Sequence, residues 1–181
     1  MSAHTGNRPT QAPAALDREI EVSHAGGSAR LRVTLPASWT TEATSIVLRD
    51  EYQEAIAGIQ FTVICDAQCS DDDIARLPHA VDEAIAARAR PNVGTGDPEM
   101  DAVRLDVADV ERAVVPGGHV RVVRVTRPAG LEGPYREQLY AVCARAKLGA
   151  KAVIAQAWAP LAREGELGPV ITHACKTFEI R

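Results

Sequence analysis

Aromatic side chains are scarce in this chain: Phe, Trp and Tyr make up 4% of its 181 residues. With 46% of the residues hydrophobic all the same, the core must be built from Val, Ile, Leu and Ala. No stretch approaches the ~18 consecutive apolar residues that a spanning helix needs, so no segment reads as membrane-crossing. Neither sign of charge dominates, with 20 Lys and Arg against 24 Asp and Glu, net −4. The basic residues stand singly among Val and Ala instead of forming a patch, which argues against nucleic acid as a partner. The motifs of common chemistries are missing too. There is no P-loop, no G-x-G-x-x-G, no G-x-S-x-G elbow and no H-E-x-x-H. No catalytic residues and no cofactor are therefore expected.

The opening, "MSAHTGNRPTQAPAALD", lacks a basic stretch leading into an apolar one, the mark of a signal peptide. It is small, polar and Pro-containing, and cannot bury surface. Residues 1–17 are read as a disordered tail and 18–181 as one domain, long enough to bury roughly 70% of its unfolded surface.

Hydrophobic periodicity then sets out the elements. "REIEVSHAGGSARLRVTLP" gives two alternating runs about Gly26-Gly27-Ser28, a hairpin, with Leu31, Val33 and Leu35 on one face. "TSIVLRD" and "IQFTVICD" follow as strands, joined by "EYQEAIAG", a bulged loop or one helical turn. Ser70 and Asp73 make a capping box before Ile74, Leu77, Val81 and Ile85, which predicts a helix over 71–89 kinked or divided by Pro78. "RPNVGTGDPEMD" reads as a mobile loop. The strands flanking Pro116-Gly117-Gly118, and those flanking Lys147-Leu148-Gly149-Ala150, form an antiparallel meander. A last helix, with Pro169 in its first turn, places Ile171, Ala174, Cys175 and Phe178 on one face. Strands, helix, strands, helix is an α+β order.

Several of these residues resemble a known family. "LRVTLPASW", the helix "SDDDIARLPHAVDEAI", the hairpin "YREQLYAVCARAKLGAKAVIAQAWAP" and the ending "THACKTFEI" are similar to the corresponding parts of PsbP-like domains. Their relatives include Ran-binding Mog proteins, DcrB-like lipoproteins and effector-associated (Eag-type) chaperones. The resemblance runs over about residues 19–181. It implies an α-β-α sandwich with a central antiparallel sheet of about six to seven strands and two main helices. It also implies a non-catalytic binding or accessory role, with another protein as partner. The four cysteines and the 91–101 loop depart from the family pattern.

Four cysteines allow three pairings. Cys65 with Cys69 is local, and a tight turn brings two such Cα atoms to ~5.5–6 Å, the disulfide range. Cys143 with Cys175 needs only the last helix to pack on the strand that carries Cys143. Reduced thiols are the alternative, and zinc held by all four fits the spacing poorly. Asp71, Asp72 and Asp73 suit the first turn of a helix, although calcium with help from Asp66 is another reading. Asp97, Glu99, Asp101 and His119 are the residues a metal-binding module would use. Trp39 and Trp158 are candidate partner anchors. The expected protein is the soluble part of an extracytoplasmic protein or lipoprotein, with any lipid anchor outside the sequence. A cytoplasmic chaperone or adaptor for a secreted effector is the alternative.

Overall fold

The computed structural model describes residues 15–24, 27–65, 68–92, 94–147 and 150–181. The expected tail lies outside the described residues as far as residue 14. Ala15, Leu16 and Asp17 already belong to the first strand, because their backbones pair with Pro36, Leu35 and Thr34. That strand, β1 (Ala15–His24), forms an antiparallel hairpin with β2 (Gly27–Pro36), and the turn residues Ala25 and Gly26 lie outside the described ones. Leu31, Val33 and Leu35 are buried, as their alternation requires.

A tight turn follows, in which the Trp39 N–H donates to the Pro36 carbonyl at 3.1 Å. Then come β3 (Thr40–Glu42), β4 (Ser45–Arg49) and β5 (Ala55–Cys65). The stretch "EYQEAIAG" resolves into a hairpin turn whose second half is β5. Asp50 accepts the N–H groups of Tyr52 and Glu54, both at 2.9 Å, and Gln53 sits at φ 64°.

The capping box forms as expected: Ser70 accepts from the Asp73 N–H, and the Asp73 carboxylate accepts from the Ser70 N–H at 2.9 Å. The predicted helix is divided at Arg76 into α1 (Asp71–Ala75) and α2 (Leu77–Arg88), with Pro78 in the first turn of α2, where its missing N–H costs nothing. Part of the loop expected to be mobile, residues 95–101, is tied by local bonds. Asp97 caps a short turn of helix, α3 (Pro98–Asp101), and Asp101 accepts from Thr95.

Four strands then run as a meander: β6 (Asp106–Val115), β7 (Gly118–Thr126), β8 (Gln138–Ala146) and β9 (Ala152–Pro160). The last helix, α4 (Glu164–Thr177), begins five residues earlier than predicted and carries Pro169 inside it. Only the bond to the Gly165 carbonyl is forfeited there, and the packing of Leu167, Ile171, Ala174 and Cys175 outweighs it. The chain leaves the helix at Phe178, which is extended and fully buried, and ends in β10 (Glu179–Ile180), a strand where helix was expected.

The sheet order is β3-β4-β5-β9-β8-β7-β6, antiparallel throughout. A second sheet, β1-β2-β10, packs beside α4 on one face. The α2 helix packs on the other, over β7 and β8. This is the expected α-β-α sandwich, with a small added sheet. Between the helices, β8 is buried from Leu139 to Ala144 on both faces, so it reads as a continuous apolar run. Phe61 and Phe178 meet edge-on at 5.6 Å in the larger core cluster. Close approach of α4 requires Gly168, whose added Cβ would stand 3.0 Å from Leu139.

Candidate binding face

Strand alternation puts Ile56, Gly58, Gln60, Thr62 and Ile64 of β5, with Gln156 and Trp158 of β9, on the face that carries α2. Helix α2 reaches the β7–β8 half of that face and touches β9 only lightly. Among the described residues no helix packs over the other half. Gln60 and Ile64 are exposed there, while Ile56, Thr62, Gln156 and Trp158 are half-buried. Across the strands, Gly58 faces Trp158, Trp158 faces Tyr140, and Tyr140 faces Val123. Gly58 is what lets the Trp158 indole lie flat on β5. A Cβ there would come 3.1 Å from Cε2 and nearer still to two other ring carbons.

Tyr140 marks the border between covered and open halves. It is buried, and its hydroxyl donates to the Gln156 side-chain oxygen. Burial, opposed only in part by Arg88, pushes its pKa up to about 12. The Arg88 guanidinium sits 5.0 Å from the Tyr140 ring centroid and donates to Gln138 Oε1 at 2.9 Å. Trp158 lines a cavity of about 270 Å³ with Ile56, Arg136, Glu137 and Pro160, so its polar wall carries both signs of charge. Arg136 and Gln138 also line a neighbouring cavity of about 360 Å³ at the end of α2.

The other residues singled out from the sequence do not converge. Trp39 is 2% exposed and belongs to the core cluster on the α4 side. It is therefore no partner anchor, because the Pro36 turn drives it inward, onto the opposite side of the sheet from Trp158. Cys65 and Cys69 stand at disulfide distance, with Cα atoms 5.8 Å apart. Cys143 and Cys175 do meet, as the packing of α4 on β8 requires, but they are free thiols and not the expected bond. The Cys175 sulfur lies 3.6 Å from the Ala141 carbonyl oxygen and 3.7 Å from that of Ala155. Burial, then the bond to Cys143, pushes the Cys175 thiol well above its usual range, so it is a core filler and no nucleophile.

The acids have local duties: Asp73 in the capping box, Asp97 as a cap and Asp101 on Thr95. Hydrogen bonds from Ser70 and Thr95 hold the Asp73 and Asp101 carboxyls below the usual range. Asp66 lies outside the described residues. His119 lines a cavity of about 210 Å³ with Asp82 and Arg112, and none of Asp97, Glu99 and Asp101 lines it. Among the described residues no group of three or more His, Cys, Asp or Glu is placed to hold a metal ion. Nothing in the sequence pointed to Arg88, Arg136 and Tyr140 as neighbours. Arg88 ends a helix and the other two precede or enter a strand, and only the tertiary fold joins them.

No family model matches the sequence, and no curated protein does. Its architecture does have relatives. The solution structure of cyanobacterial PsbP (CyanoP) from Synechocystis matches with TM-score 0.50 at 11% identity, covering 99% of this chain and 100% of that one. The fold is PsbP-like. The crystal structure of the Ran-binding protein Mog1p from Saccharomyces cerevisiae matches at TM-score 0.49 and 11% identity, over 92% of this chain and 96% of that one. Identity this low carries the PsbP-like fold and says nothing of ligand or chemistry.

Proposed function

We propose that the protein is a non-catalytic accessory domain that binds another protein across the half of the sheet left open by α2, and that it works outside the cytoplasm. One observation carries the binding reading: Trp158, Ile56 and Ile64 share an uncovered sheet face beside a helix that shields only β7 and β8. An aromatic ring flanked by aliphatic side chains is the usual centre of a protein interface. The partner segment is an amphipathic helix. Its apolar side fits the Trp158 groove, whose polar wall carries both Arg136 and Glu137. The Cys65–Cys69 pair supports the extracytoplasmic reading, since disulfides persist in oxidising compartments. The free thiols Cys143 and Cys175 favour a second reading, a cytoplasmic adaptor with the same docking face.

Photo-crosslinkers placed at Gln60, Ile64 and Glu166 in the native host test the docking. Positions 60 and 64 are expected to label one and the same protein, within an amphipathic segment, and position 166 on the outer side of α4 is not. Equal labelling from all three positions, or labelling from 166 alone, rejects the open face as the docking site. Alkylation and mass spectrometry of the natively produced protein separate the compartments. One bond and two free thiols are expected, and four free thiols would move the protein to the cytoplasm.

A further inference from the structure

Most cations on the sheet and on α4 face carboxylates: Arg121 reaches Asp82 and Asp109, Arg124 reaches Glu164, and Lys176 reaches Glu111. The cavity of about 360 Å³ at the end of α2 is built differently. Arg88, Arg90 and Arg136 line it, and no Asp or Glu does. None of the three has an ion pair among the described residues, in a chain whose net charge is −4. Gathering three guanidiniums without a counter-charge is unfavourable by itself, and an anion between them reverses the sign.

The cavity has a fixed side and an adjustable side. Arg88 is held by Gln138 Oε1 at 2.9 Å and by the Tyr140 ring, so its position is set before any ligand arrives. Tyr135 is oriented as well. Its phenol oxygen accepts from Asn92 Nδ2 at 2.7 Å, which leaves the phenol proton to be donated. Arg90 and Arg136 are exposed and make no side-chain hydrogen bond among the described residues, so they can swing onto a ligand. Leu105, Val125 and Pro91 supply apolar wall. Arginine forks match the paired oxygens of carboxylate and phosphate. The volume lies at the small end of the ~300–1,000 Å³ typical of ligand sites.

We propose that this cavity is a binding site for a small organic anion, a carboxylate or phosphate group on a compact apolar body. Arg88 and Tyr135 form its preset donors, and Arg90 and Arg136 close over the anionic oxygens. The site does not rest on the docking of a protein partner: the ligand is a free small molecule, and Trp158 takes no part.

The test is an NMR titration of the full chain, following the arginine Nε–H and glutamine side-chain signals. The probes are 3-phenylpropionate, phenyl phosphate and the uncharged 3-phenylpropanol. Saturable shifts at Arg88, Arg136 and Gln138 are expected with at least one anion, with a Kd of about 1 mM or tighter, and none with the alcohol. The double variant Arg90→Gln/Arg136→Gln keeps the native backbone spectrum, since neither side chain supports the fold, and binds the same anion at least about tenfold more weakly. Absence of saturable shifts with both anions, equal binding of the alcohol, or undiminished binding by the double variant overturns the site. Crosslinking at residues 60 and 64 is untouched by any of these results, so the two readings fail separately.

Discussion

Replacing Gly58 with Ala probes the packing that shapes the open face. Gly58 and Trp158 face each other across β5 and β9, and the indole occupies the space a Cβ would take. The new methyl must push the ring off β5, and overpacking of this kind costs about 1–3 kcal/mol. Ala in place of a strand-interior Gly returns about 0.5–1 kcal/mol. The expected net loss in urea unfolding is therefore between about 0 and 2.5 kcal/mol. In a Trp158→Ala background the obstacle is gone and only the backbone gain remains, so Gly58→Ala stabilises by about 0.5–1 kcal/mol. The sign of one substitution thus depends on the other residue, and a double-mutant cycle reads it directly. A Gly58→Ala cost equal in both backgrounds to within about 0.5 kcal/mol would refute the reasoning.

Three further outcomes follow from the packing and the charges. Phe178→Ala removes the ring that meets Phe61 and lies 5.4 Å from the Arg145 guanidinium; urea unfolding is expected to show a loss of about 3–5 kcal/mol. Tyr140 is favoured neutral in the fold, because its pKa is raised from 10 to about 12. Its contribution of roughly 2–3 kcal/mol is complete below pH 10 and is lost as pH rises from about 10 to about 12; Tyr140→Phe flattens that part of the stability profile. On the acid side, hydrogen bonds from Arg121 to Asp109 and from Arg124 to Glu164 lower both carboxyl pKa values. Stability from these pairs is present above the ordinary carboxylate range and lost as pH falls through the lowered values, and Arg124→Gln reduces that acid dependence in a pH series of unfolding curves.

Legibility of the sequence differed by element. The β2 face, the capping box at Ser70, the division of the helix just before Pro78 and the meander could all be read, because each rests on contacts close in sequence or on a strict period of two or 3.6. β3 was missed because three residues carry no periodicity. The start of α4 was missed because Pro169 looks like a first-turn residue, and only tertiary burial of Leu167 and Gly168 shows that the helix is already under way. Trp39 and Trp158 looked equivalent as large residues beside prolines. The turn after Pro36 sends one into the core, and Gly58 lays the other on the opposite face. The cysteine chemistry was half legible: the local pair follows from chain reach, while for Cys143 and Cys175 proximity could be read but not their free state. The arginine cavity had no sequence signal, since its residues come from the end of α2, the loop after it and the approach to β8.

The central claim is that the uncovered half of the sheet, around Trp158 and Ile64, is where a protein partner sits. The affinity of the crosslinked partner for Ile64→Asp, set against Glu166→Lys, tests it most directly. Ile64 is 44% exposed, so the change leaves the fold intact. The expected result is a Kd raised at least about tenfold by Ile64→Asp and unchanged by Glu166→Lys. An unchanged Kd for Ile64→Asp would contradict the account.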